Sequence, residues 1–152
     1  MIENKELLEK QSLDTDFKKL SNTWNEKAIN YKYAYNFTWL SRPIIQVPQD
    51  IYAMQEVIWK IQPGLIIETG IAHGGSLIMS ASMLALMDYR DGYSADDQSG
   101  REVIGIDIEI RPHNRKAIEE HMMSSKIILI EGSSVSDSVI EKIKEIVDYH
   151  DE

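Results

Sequence analysis

Glu68 closes an apolar run, and the eight residues after it hold three glycines and a serine ("IIETGIAHGGS", Ile66 to Ser76). A strand ending on an acid, then a turn almost free of bulk, brings a backbone close to something small and polar. In an open α/β sheet, ligands sit at the carboxyl ends of the strands. Gly70 lets the chain turn sharply. Gly74 and Gly75 let a ligand approach the start of the next helix, where free N–H groups and the helix dipole favour a negative group. Ser76 adds a hydroxyl in the same first turn. His73 sits inside the turn, placed to touch a ligand, although a lone loop histidine more often serves hydrogen bonding or packing.

Two further strand ends carry chemistry. Asp107 follows the apolar "VIGI" and is placed to accept two hydrogen bonds from a ribose diol. "EGSS", Glu131 to Ser134, offers room for a flat ring and polar groups for its edge. Each feature has a plainer reading beside it. Gly70 and Gly74 serve tight strand–helix packing in many folds. Asp107 can cap a helix, and Glu131 reads first as a turn residue.

The three ends together describe a site for a nucleoside with a polar tail. A dinucleotide calls for Gly-x-Gly-x-x-Gly, and Ala72 stands where the middle glycine belongs. The ribose acid normally follows about 20 residues on, whereas Asp107 lies 32 past Gly75. Glu68 would repel a pyrophosphate and welcome an ammonium. Those features favour S-adenosylmethionine over NAD.

The surrounding elements must hold these residues in place. Residues 3–35 read as one or two mixed-charge helices. Tyr31 to Leu40 ("YKYAYNFTWL") is aromatic, either a substrate wall or, the favoured reading, rings packed on the domain. Pro43 and Pro48 bracket an extended link. Ile51, Met54, Ile58 and Ile61 have helical spacing, ended by Pro63-Gly64. Strands are expected at Leu65 to Ile67, Val103 to Ile110 and Lys126 to Ile130. Helices are expected at Gly74 to Met87, Pro112 to Met122 and Ser136 to Tyr149. The first of these is apolar nearly all round and should be buried against a sheet. The polar, acidic stretch Asp88 to Arg101 reads as a solvated loop before a cation site. His113 and His121 read as surface residues. The alternation predicts an α/β fold with a parallel sheet. Residues 1–47 form an N-terminal helical and aromatic arm, and 48–152 a Rossmann-like domain.

The chain has 152 residues, no cysteine and a net charge of −9. Disulfides and thiolate metal sites are excluded. The first forty residues balance six acids with six bases, so the negative excess lies after them. That argues against nucleic acid and anionic membranes as partners. No apolar run approaches the roughly 20 residues that cross a bilayer, and Met1 to Gln11 is unlike a signal peptide. A cytoplasmic protein is expected.

"PQDIYAMQEVIWKIQPGLIIETGIAHGGSLIMSASML", "VIGIDIEIRPHNRKAIEEH" and "IILIEGSS" resemble the cephalosporin hydroxylase-like family. That family is a branch of the class I S-adenosylmethionine-dependent methyltransferases and is similar to rhamnosyl and other sugar O-methyltransferases. The resemblance runs from about Phe37 to Ser134. It implies that Glu68, Gly70, Gly74, Gly75 and Ser76 line the methionine end of the cofactor, that Asp107 holds the ribose, and that Ser133 lies near adenine. It implies methyl transfer to a hydroxyl of a sugar or small molecule, with Mg²⁺ in full-length members. Hydroxylation is not expected, because nothing supplies a redox centre.

No residue here matches the family's metal ligands or a catalytic base. The sheet is expected to stop after about three parallel strands, as the front half of a methyltransferase inactive alone. Such a chain would pair with a complementing C-terminal half. The other reading is a non-catalytic binding or assembly module that oligomerises through the open sheet edge. An NAD-binding oxidoreductase fragment is weaker still, disfavoured by Ala72 and Glu68.

Overall fold

The computed structural model describes residues 2–94 and 99–151. Helices α1 (Ile2–Leu13) and α2 (Thr15–Asn30) lead the chain. Asp14 caps α2, accepting the Phe17 N–H at 2.9 Å, as a helix start after a short break requires. No residue of α2 is buried. Its Trp24 ring meets Tyr33 edge-on at 5.3 Å, and Tyr33 meets Phe37 the same way at 5.0 Å. The aromatic stretch is therefore a packing device on this side.

The stretch then becomes a β-hairpin, which the sequence reading had as an arm and an extended link. β1 (Phe37–Trp39) pairs antiparallel with β2 (Arg42–Ile44), Trp39 opposite Arg42. Leu40 and Ser41 form the two-residue turn with φ of 43° and 70°. Such turns usually carry Asn-Gly. Here His121, itself half-buried, steadies the strained pair. Its Nδ1 accepts the Met123 N–H, which leaves Nε2 to donate to the Leu40 carbonyl at 3.0 Å. His113 is exposed as expected.

The main sheet is parallel, in the order β3-β4-β5: Leu65–Thr69, Glu102–Asp107 and Ile127–Glu131. Side chains alternate between its faces. Ile66, Val103, Ile127 and Leu129 join the core beneath α4 (Gly75–Arg90), with Ile44 from the hairpin and Ile58 from α3 (Pro48–Ile61). Leu65, Ile104, Ile106, Ile128 and Ile130 meet Val139, Ile143 and Ile146 of α6 (Asp137–Asp151) on the other face. α4 buries eleven residues, which accounts for its apolar character all round. α5 (Pro112–Glu119) ends before Met122.

β4 stops at Asp107, where its pairing with Glu131 ends, so Ile108 leaves the sheet and is 76 % exposed. Two backbone bonds fix the facing of β3. The Gly64 carbonyl accepts from Glu102, and the Gly70 N–H donates to Ile106. By the alternation of a parallel ladder, Leu65, Ile67 and Thr69 aim their N–H and C=O groups at the opposite edge. Among the described residues no strand pairs there.

Of the acidic loop, residues 95–98, including Asp96 and Asp97, lie outside the described residues. The acids at its start are already engaged. Buried Asp88 accepts from Lys126 and from Arg101, and Arg101 also binds Asp91 at 2.5 Å. This network ties the end of α4 to the starts of β4 and β5. No described helix is long and apolar enough to cross a membrane.

Candidate functional site

Gly70 to Gly74 connects β3 to α4 under strain. Gly70 and Gly74 take φ near +80°, and Ala72, which has a side chain, takes +45°. A residue in this region persists only where its surroundings over-determine it. Here they do. Asp107 Oδ2 accepts the Ile71 N–H at 2.9 Å and the Ala72 N–H at 3.4 Å. Asn114, 5 % exposed on α5, donates from Nδ2 to the Ala72 carbonyl at 3.0 Å. Arg42 on β2 donates to the His73 carbonyl from Nη2 at 2.5 Å and from Nε at 3.2 Å. Asn114 Oδ1 lies 3.3 Å from Arg42 Nη2 and 3.4 Å from His73 Nδ1. The Ile71 and Ala72 amides and the Ala72 and His73 carbonyls are thus gripped from three elements.

A cleft of about 280 Å³ opens on one side of the turn. Glu68, Gly70, His73, Gly75 and Ser76 line it, together with Asp50 and Met54 of α3. It holds two carboxylates and, among the described residues, no lysine or arginine. Glu68 is partly buried. Burial pushes its carboxyl above the usual range, and a hydrogen bond donated by Ser76 opposes the rise. Among the described residues no side chain caps the N-terminus of α4, which leaves its first N–H groups for a ligand.

A second cleft of about 300 Å³ lies on the other side, lined by Ala72, His73, Asp107, Ile108, Glu109, Arg111 and Asn114. The structure therefore brings Glu68, Gly70, His73, Gly75, Ser76 and Asp107 around one turn. Gly74 and Gly75 have a reason beyond ligand approach. A Cβ at 74 would lie 2.4 Å from the Ile118 side chain, and one at 75 would lie 2.2 Å from the Pro43 carbonyl oxygen. Only Gly70 of the three faces open space. Ser133 lines neither cleft. Its carbonyl accepts from the Ser136 N–H and hydroxyl, both at 2.9 Å. Glu131 is exposed and paired with Arg115 at 2.8 Å.

Arg42, Asn114 and Ile108 were not singled out by the sequence. The first two act through side chains distant in sequence, and no local pattern marks them. Ile108 could have been found, as an apolar residue directly after the ribose-type acid.

The family description "rhamnosyl O-methyltransferase/CmcI" matches residues 31–152, most of the chain and the whole of this site. The chain belongs to that family. Searches of curated proteins and of solved structures find no match. Membership agrees with the parallel sheet and strand-end site, and the fold is that of a Rossmann-like methyltransferase sheet. The resemblance read from "IIETGIAHGGS" and "VIGIDIEI" is thereby established at the level of the family.

Proposed function

We propose that this chain binds S-adenosylmethionine as the cofactor-binding portion of an O-methyltransferase acting on a sugar or small-molecule hydroxyl. The observation that carries this is the first cleft, acidic and, among the described residues, without lysine or arginine, set against the uncapped start of α4. Glu68, held by the Ser76 hydroxyl, takes the ammonium of the methionine end, and the N–H groups at the start of α4 take its carboxylate. Asp107 keeps lone pairs beyond its turn contacts for the ribose hydroxyls. Exposed Ile108 offers an apolar face for adenine in the second cleft. When bound, the cofactor supplies an electrophilic methyl on a sulfonium, and the chain's role is to hold it in line with the acceptor oxygen. Mg²⁺ would lower the acceptor pKa. Among the described residues no three acids or histidines are gathered for a metal, so no step is assigned to one. Binding without turnover is expected of the chain alone.

Calorimetric titration tests this, with NAD as control. S-adenosylmethionine alone should bind, and Asp107→Ala should weaken it at least about tenfold, the worth of a charge-assisted hydrogen bond. Asp107→Asn keeps an acceptor for the Ile71 amide and separates ribose binding from support of the turn. Binding of NAD in place of S-adenosylmethionine would overturn the reading.

A second reading is an assembly module, favoured by the unpaired edge of β3, where Ile67 is 45 % exposed. An open edge of this kind templates pairing with another chain. Light scattering on the same sample should then give a dimer or larger species, and Ile67→Lys should dissolve it. A soluble monomer would rule this second reading out.

A further inference from the structure

We propose that α2 supplies an acceptor subsite for a neutral glycosyl ring, with Trp24 as its specificity-determining residue. This rests on the methyl-transfer reading above and adds to it a place for the acceptor. A cleft of about 480 Å³ lies between α2 and the start of α3. That volume falls in the range of small-molecule sites. Trp24, Asn25, Gln49 and Asp50 line it, beside Leu20 and Val47. Asp50 lines the first cleft as well, so the two adjoin at that residue. A ring held against Trp24 would present its hydroxyls toward the cleft assigned to the methyl donor.

The chemistry of the lining selects the ligand. Among the described residues no lysine, arginine or histidine lines the cleft at Trp24, and the Asp50 carboxylate disfavours a phosphorylated, sulfated or carboxylated acceptor there. Trp24 is 43 % exposed, and its edge contact with Tyr33 fixes the ring while leaving a broad apolar surface. An aromatic plane beside planar amides suits a pyranose, which has an apolar C–H face and a rim of hydroxyls that both donate and accept. Asn25 and Gln49 can do both, and Asp50 accepts. None of the three side chains has a hydrogen-bond partner among the described residues, so each is free for a ligand. A cation on Trp24 and Asp50 would leave both amides unused. The subsite joins residues 20–25, which precede the stretch that matches the family, to Val47, Gln49 and Asp50 within it.

Saturation-transfer NMR on the full chain, with the S-adenosylmethionine titration run in parallel, tests the proposal. The probes are methyl α-L-rhamnopyranoside, methyl α-D-glucopyranoside and choline. A glycoside should give signal and choline none. Trp24→Ala and Gln49→Ala should each cut glycoside binding at least about fivefold, and Trp24→Phe, which keeps the packing on Tyr33, should retain most of it. S-adenosylmethionine affinity should move by less than about twofold in all three. Gln49 is exposed, so its variant reports on the subsite even if Trp24→Ala disturbs α2. Glycoside binding unchanged in Trp24→Ala and Gln49→Ala overturns the subsite, as does choline binding in place of glycosides. Loss of every glycoside signal while S-adenosylmethionine still binds overturns the subsite and leaves the cofactor reading standing. The reverse pattern, Trp24-dependent glycoside binding with no cofactor binding, supports the subsite and removes the cofactor reading.

Discussion

Glu68→Gln is expected to weaken S-adenosylmethionine binding about tenfold or more at neutral pH, while the fold stays as stable or gains. The two effects share one cause. Burial raises the Glu68 carboxyl above its usual range, and the Ser76 hydroxyl offsets only part of that. The unfolded chain therefore loses this proton at lower pH than the folded chain does. Between the two values the folded state holds more protons, so stability falls as pH rises through that window. Glutamine removes the penalty and still accepts from Ser76. The advantage of Glu68→Gln should be absent near pH 4 and grow above the ordinary carboxylate value of about 4.3. A bound ammonium reverses the balance by favouring the ionised carboxylate. Binding should then release a proton in the same window, and affinity should rise with pH. Thermal melts across that range, and titrations in two buffers of different ionisation heat, measure both. A destabilised Glu68→Gln with unchanged affinity would make Glu68 and Ser76 a structural clasp instead.

How far the sequence reached depended on where each residue's partner lies. β3, β4 and β5 announce themselves as short apolar runs because helices cover both faces of a parallel sheet, most completely at the central β4. The buried helix α4 did the same. Glu68, Gly70, Ser76 and Asp107 were legible because strand ends and glycine turns leave a local trace. The hairpin was not, since Leu40-Ser41 takes a conformation that asparagine and glycine normally advertise, and its support comes from His121, 81 residues on in the chain. Arg42 and Asn114 were missed for the same reason. Their work is a set of contacts to the carbonyls of residues 72 and 73, which only the folded chain brings near. Gly75 was found but for an incomplete reason, because nothing local reports that β2 packs against it.

That last point separates the three glycines by experiment. Gly75→Ala should cost about 3 kcal/mol or more, at or beyond the usual range for overpacking, because the clash is with backbone. Its Cβ would meet the Pro43 carbonyl oxygen at 2.2 Å and Ile44 Cα at 2.7 Å, so β2 must shift. A shifted β2 carries Arg42 off the His73 carbonyl and loosens the turn as well. Gly70→Ala meets nothing within 4 Å and suffers only its φ of +81°, a cost of about 1–2 kcal/mol. Gly70 lines the cleft assigned to the cofactor, so its new methyl group should weaken S-adenosylmethionine at least about tenfold while the chain stays folded. Denaturant melts paired with the cofactor titration give both quantities for each variant. A Gly70→Ala that binds as well as the parent would show that the ligand keeps its distance from this backbone. Glycine would then be required at 70, 74 and 75 for the path of the chain alone, and the acidic cleft would have to earn its ligand through Glu68 and Asp107.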